Sequence, residues 1–215
     1  MSSDNSWDHD DVPTSDSDWT YRPRSSVPTT VAIAVVAAGL TFAQWVGGGA
    51  ADLARALPFA LAGAFAGWLM FGKPHVRVAD DGVHVVNPFV AYDVPWGALI
   101  EVRTRFACTF VTPHRTVQAF AAPGPGRYAV AMATVVDLRT AGGVPSRGLD
   151  LGDLPAAPSG QVATVVRRRW HELVESGRLA QGEADETPVP RAWDVRSATV
   201  LTALLVVGVA LQVAR

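Results

Sequence analysis

The sequence predicts a membrane protein with three transmembrane helices and a cytoplasmic domain built as a bent antiparallel β-sandwich or barrel with a C-terminal amphipathic helix. Three observations predict it. Charged residues avoid three apolar windows almost completely. The stretch after the second window alternates apolar and polar residues around turn signals. One later segment returns to helical spacing.

The apolar windows come first. Residues 25–51 hold no charged side chain, and the densest part is "VAIAVVAAGLTFAQWV"; a second window, "ALPFALAGAFAGWLMFG", covers 56–72; a third, "SATVLTALLVVGVALQVA", covers 197–214. At about 1.5 Å per residue, stretches of roughly 17–20 residues just cross a hydrocarbon core near 30 Å. Residues 25–72 therefore read as a two-helix transmembrane hairpin and 197–214 as a third span. Pro58 falls in the first turn of the second span, where its missing N–H does no harm. Gly63 and Gly67 form a small-xxx-small pattern that lets a neighbouring helix approach, and the first span is the obvious neighbour. A soluble helical hairpin would show a polar face. A cleaved signal peptide would open on a short basic region, whereas the leader here is long and acidic.

Arginine placement sets the orientation. Arg22 and Arg24 precede the first span, Lys73 and Arg77 follow the second, and Arg191 and Arg196 precede the third, against Arg55 and Arg215 on the other side. The positive-inside rule then puts the N-terminus and the domain in the cytoplasm and the C-terminus outside a plasma membrane crossed several times. Trp19, Tyr21, Trp68 and Trp193 fall near the predicted boundaries. Residues 1–24 form an acidic tail, disordered for want of apolar surface to bury. Residues 178–196 form an acidic linker whose prolines make it a semi-extended spacer.

The domain occupies residues 75–177. Val76 and Val78 flank an outward Arg77. Asp81-Gly82 is a strong hairpin signal, predicting a type I′ turn with φ > 0 at both central positions. Val83 and Val85 resume the inward face, and Asn87-Pro88 breaks the strand. Tyr92, Val94 and Trp96 share a face, and Pro95 marks a strand end or edge. "LIEVRTRF", "ACTFV" and "TVQAFA" supply further short strands, five or six in all, with Arg103 and Arg105 on one outward face and Arg115 in a nearby turn. "SGQVATVVRRRWHELVESG" opens on Ser159 as N-cap and closes on Gly177 as the C′ residue. Val162, Val166, Trp170, Leu173 and Val174 form its apolar stripe. Arg167, Arg168 and Arg169 lie about 100° apart and share no face.

A bent sheet closed by such a helix is a pleckstrin-homology-like layout. "VRVADDGVHVVNP" followed by "VPWGALIEVR" resembles the bacterial PH-domain proteins of actinobacteria, the group that includes the mycobacterial low-molecular-weight antigen. The positions that carry the resemblance are Asp81, Gly82, Val83, Asn87, Val94, Trp96, Ile100 and Val102. It implies a fold and a membrane context and brings no activity with it. Residues 124–158 depart from a minimal PH core and read as an extra helix with a long loop.

No catalytic constellation is legible. The five histidines lie in unrelated elements, with no second histidine or carboxylate at ligand spacing, and Cys108 alone builds neither a disulfide nor a zinc site. "GPGR" at 124–127 lacks the Lys-Ser/Thr of a phosphate loop, and the G-x-S-x-G elbow does not occur. A net charge of −2 gives no argument for nucleic acid. The expected function is a non-catalytic, membrane-anchored interaction or scaffold module without a cofactor. Its expected partners are membrane lipids and another protein. The alternative is an anionic-lipid-binding regulator using Arg103, Arg105 and Arg115, each arginine worth about 1 kcal/mol near an anionic surface. Asp80 and Asp81 in the first turn oppose a phosphate ligand there. A membrane-bound enzyme is the least supported reading.

Overall fold

The computed structural model describes residues 18–125, 157–179 and 184–214. Its two apolar helical runs, Ser26–Gly72 and Val195–Val213, are long and apolar enough to cross a membrane. The sequence predicted three separate spans. The first two are joined in one apolar run, because the alanine-rich connection is helical on both sides of a break at Gly49 and leaves no loop between them. Helix α1 (Ser26–Gly67) has a single non-helical residue, Gly49, at φ 70° and ψ −158°. Only glycine takes such a conformation without strain. The chain folds back there: a Cβ on Gly67 would lie 2.8 Å from Ile33, and one on Gly72 would lie 3.2 Å from Thr30. Pro58 lies well inside the helix rather than in a first turn. The run ends in a single π-helical turn, Trp68–Gly72, closed by Lys73 N–H donating to the Trp68 carbonyl at 2.8 Å.

The alternating stretch folds into two antiparallel sheets. One has five strands in the order β1 (Trp19–Tyr21), β2 (His75–Val78), β3 (Gly82–Val86), β4 (Val90–Pro95) and β8 (Arg191–Trp193). The other has β5 (Glu101–Arg103), β6 (Ala107–Val111) and β7 (Thr116–Pro123). Helix α2 (Pro158–Glu175) packs on β5, β6, β7 and β2 and closes the sandwich. The core is mostly small and β-branched: Val76, Val83, Val85, Val94, Val117, Val162 and Val166 are buried around Phe110. These residues suit a pleated, enclosed surface. Helix α3 (Val195–Val213) then packs along α1, where a Cβ on Gly208 would lie 2.8 Å from the Phe59 ring.

Several local expectations are corrected. Among the described residues no non-glycine has positive φ and Gly82 does not either, so the first turn is not type I′. Ala79 N–H donates to the Gly82 carbonyl at 2.9 Å, which leaves Asp80 and Asp81 at the tip. Gly82 is required for another reason: a Cβ there would run into the Val94 carbonyl and lie 2.9 Å from Pro95 Cα, where β4 passes. The N-cap of α2 is Ala157, with Pro158 at the first helical position and Ser159 buried in the first turn. At its other end Gly177, at φ 69°, donates to Val174 at 3.1 Å and Arg178 donates to Leu173 at 3.1 Å. That is a Schellman stop. The tail expected over 1–24 contributes β1, and the spacer expected over 178–196 contributes β8. The helix and loop expected over 124–158 fall outside the described residues, apart from their two ends.

Candidate functional site

The junction between helices and sandwich is built by short strands that run into helices without slack. β1 pairs with β2 through Trp19↔Val78, Thr20↔Arg77 and Tyr21↔Val76, and α1 begins at Ser26. Trp19 and Tyr21, expected as interfacial rings, pack on the domain core. β8 pairs with β4, and Asp194 then caps α3 by accepting from Ser197 N–H at 3.0 Å. Lys73, at the end of the π-turn, pairs with Asp194 and also donates to the Pro88 carbonyl at 2.9 Å. Hydrogen bonds from Lys73 and Ser197 hold the Asp194 carboxyl far below the usual carboxylate range. A single half-buried ion pair thus joins the end of one helical run, the start of the other and the β3–β4 turn.

The residues read as a fold signature lie in the first hairpin and against the core. Trp96 is buried in a short 3₁₀ turn, Trp96–Ala98, and its indole N–H donates to the Ala79 carbonyl at 3.0 Å across the hairpin. Val94 is buried beneath it, Asp81 and Gly82 form the turn it covers, and Trp170 lies half-buried against the core. Asn87, at the strand break, donates to Gln118 O and accepts from Phe120 N–H, each at 2.9 Å, so one side chain bridges the two sheets.

The three arginines proposed as a contact face are not brought together. Arg103 ends β5 and pairs with Glu101 at 2.7 Å. The hydrogen bond between them raises the Arg103 pKa and lowers that of Glu101. Arg105 lies beyond the strand, its guanidinium 5.2 Å from the centroid of the Phe106 ring. Arg115 sits in the β6–β7 turn at the opposite end of the sheet, half-buried, with its Nε enclosed and without a hydrogen-bond partner. The helix arginines also divide. Arg167 donates to the Val102 carbonyl at 2.6 Å, and Arg169 pairs with Asp80, pinning α2 to the first turn.

The hairpin carries a cluster that sequence spacing does not reveal. His84 stands opposite Asp93 in the β3–β4 register, with Nδ1 2.7 Å from Asp93 and Nε2 3.1 Å from Asp81. Only the imidazolium donates from both nitrogens. Partial burial pushes the pKa down, but the bonds to Asp93 and Asp81 outweigh it and raise it above the ordinary value. The sequence shows no carboxylate at metal-ligand spacing from a histidine, yet the fold brings Asp93 and Asp81 against His84. Only the strand register could have shown the pair. Even so, among the described residues no group of three His, Cys, Asp or Glu side chains is placed to hold a metal ion.

The two glycines proposed for helix packing also part company. Gly67 receives Ile33 within the folded-back run, whereas a Cβ on Gly63 would meet nothing within 4 Å. Gly63 lines an open cleft of about 650 Å³ between the helices. A second cleft, of about 680 Å³, separates the helical run from the sandwich.

Two antiparallel sheets closed by a C-terminal helix, with a tryptophan locking the first hairpin, define the PH-like class of sandwich. Residues 73–169 match the family model for the bacterial PH domain, which runs from the π-turn through most of α2. No curated protein and no solved structure matches the chain.

Proposed function

We propose that this chain is a membrane protein whose PH-like sandwich acts as a non-catalytic interaction or scaffold module on the cytoplasmic face. The observation that carries the reading is the pattern of exposure. The apolar helices present Val27, Leu40, Val46 and Val213 outward at 66–78% exposure, whereas the sandwich buries its own valines. A contiguous apolar surface of that extent suits lipid rather than water. On this reading the turn at Gly49 gives three crossings, and the arginine distribution supports a sandwich inside and a C-terminus outside. The bacterial PH match supports an interaction role, because PH domains are generally interaction modules.

A pair of reporters tests this in cells. Alkaline phosphatase fused after Ala214 should be active, and a green fluorescent protein inserted between Gly124 and Pro125 should fluoresce. Fluorescence from a C-terminal fusion would overturn the odd number of crossings. For the role itself, photo-cross-linking residues placed at exposed Ile100 and Glu101 should yield discrete protein adducts. Adducts that are only intrachain would remove the scaffold reading.

A further inference from the structure

The cleft between the helical run and the sandwich joins three features that point to one kind of ligand. It is large, about 680 Å³, within the range of sites that enclose a small molecule. Its walls are mainly apolar and outwardly open, with Met70 and Phe71 from the end of the run, Phe106 from the β5–β6 turn, Phe120 from β7 and Pro23 from the β1–α1 connection, and with Asn87, Thr116 and Gln118 as polar members. Phe106 is 77% exposed, an unusual position for a ring in a turn. No carboxylate is among the described residues that line it.

The charge beside the cleft, as far as the described residues show it, is positive. Arg22 and Arg24 flank Pro23, and Arg105 precedes Phe106 with its guanidinium over the ring. Arg22 and Arg24 are exposed, and none of the three forms an ion pair among the described residues. Arg103 differs in being engaged by Glu101, and the acidic turn of Asp80 and Asp81 lies elsewhere, tied to Arg169. An apolar trough with a cationic margin fits an amphiphile with an anionic head. The cleft opens where α1 starts at Ser26 and the run ends at Gly72, the level at which hydrocarbon would give way to head groups.

We infer that this cleft holds an anionic glycerophospholipid of the adjoining leaflet, with its head group at Arg22, Arg24 and Arg105 and the upper acyl chains against Phe71, Phe106 and Phe120. The inference rests on the reading that the helices cross a membrane. It makes the sandwich a sensor of the lipid beside it and leaves the other surfaces free for a protein partner.

The test uses the full chain in nanodiscs containing a photoactivatable phosphatidylglycerol or phosphatidylcholine, with the reactive group near the top of the acyl chain. Cross-linked peptides are then mapped by mass spectrometry. The phosphatidylglycerol probe should label peptides containing Phe106 and Phe120, and Arg105→Gln or Arg24→Gln should each reduce that labelling by about fivefold, the loss expected for one basic residue near an anionic surface. Arg115→Glu, at the far end of the sheet, should leave it unchanged. Equal labelling by the two probes overturns the proposal, as does labelling confined to the outer faces of the helices. Displacement of the probe by a co-purifying protein segment also overturns it, by assigning the cleft to a protein. In each of those results the chain remains membrane-integrated, so the membrane reading survives. A chain released from membranes by alkaline carbonate overturns both.

Discussion

The same residue type does opposite things in the two halves of this molecule. In the sandwich, Val76 and Val83 are fully buried and Val85 is 1% exposed; in the helical run, Val27 and Val46 are about 70% exposed. The side chains are identical, so the difference lies in what surrounds them. The sandwich makes its own apolar phase by closing two sheets and a helix over one core. The helices enclose almost none, with most of their apolar surface exposed. Their mutual contacts include Gly67 with Ile33 and Gly208 with Phe59, and leave most of their apolar surface uncovered. Stability in the first half comes from enclosed packing; in the second, on the proposed membrane reading, it comes from lipid together with close backbone approach.

The sharpest way to break that contrast is to truncate one large side chain in each half. Phe110 is fully buried between the sheets, and Phe110→Ala should cost about 3–5 kcal/mol through lost transfer energy and the cavity left behind. Leu40 is 66% exposed on α1, and Leu40→Ala should cost under about 0.5 kcal/mol. Thermal unfolding of the full chain in detergent, followed by tryptophan fluorescence, measures both. Comparable losses would mean that α1 is buried against something and would end the contrast.

The halves also differ in how much of them is legible in the chain. The sandwich core is written in plain alternation, so Val76, Val78, Val83, Val85 and Val94 are readable without coordinates. What alternation does not carry is register. His84 and Asp93 meet only because β3 and β4 pair as they do, and Gly82 is needed only because β4 crosses close above it. The same gap separates Arg105 from Arg115, which look adjacent in a list of strands and lie at opposite ends of a sheet. Strands of three residues, such as Trp19–Tyr21 and Arg191–Trp193, are too short to show any period and form because a neighbouring edge is open to them. In the helical half, hydrophobic length reveals the apolar windows but not how they join. Ala50, Ala51 and Leu53 are good helix formers, so the connection stays helical and one glycine alone reverses it.

The second test separates the two glycines. Gly63 and Gly67 sit one turn apart and look equivalent in sequence. A side chain at Gly67 must displace Ile33, so Gly67→Leu should cost about 1–3 kcal/mol, the usual penalty for overpacking a tight contact. Gly63→Leu enters open space and should leave the melting temperature in detergent unchanged. Equal destabilisation would mean that Gly63 is already covered, which points to a further helix in the 650 Å³ cleft.

The smallest effect belongs to the hairpin, where charge rather than packing is at stake. The His84 pKa is raised because hydrogen bonds to Asp93 and Asp81 outweigh the opposing effect of burial. The stabilisation from the imidazolium is then fully present below the unfolded histidine value, about 6.5, and is lost as pH rises through the higher folded value. The Asp81 carboxyl is lowered by the same hydrogen bond, so its contribution is present above the ordinary aspartate value and disappears in acid. Between those limits the cluster should hold the β2–β4 hairpins most firmly, by under about 1 kcal/mol given its exposure. Asp93→Asn should bring the His84 titration down toward 6.5, and Asp81→Asn should do so less, because the Asp93 contact is the shorter. Histidine carbon-bound proton shifts of the full chain in micelles report both. A His84 that titrates at the ordinary value in the unmodified protein would show that neither carboxylate engages it, leaving that hairpin to the strand ladders, the Trp96–Ala79 hydrogen bond and the Arg169–Asp80 pair.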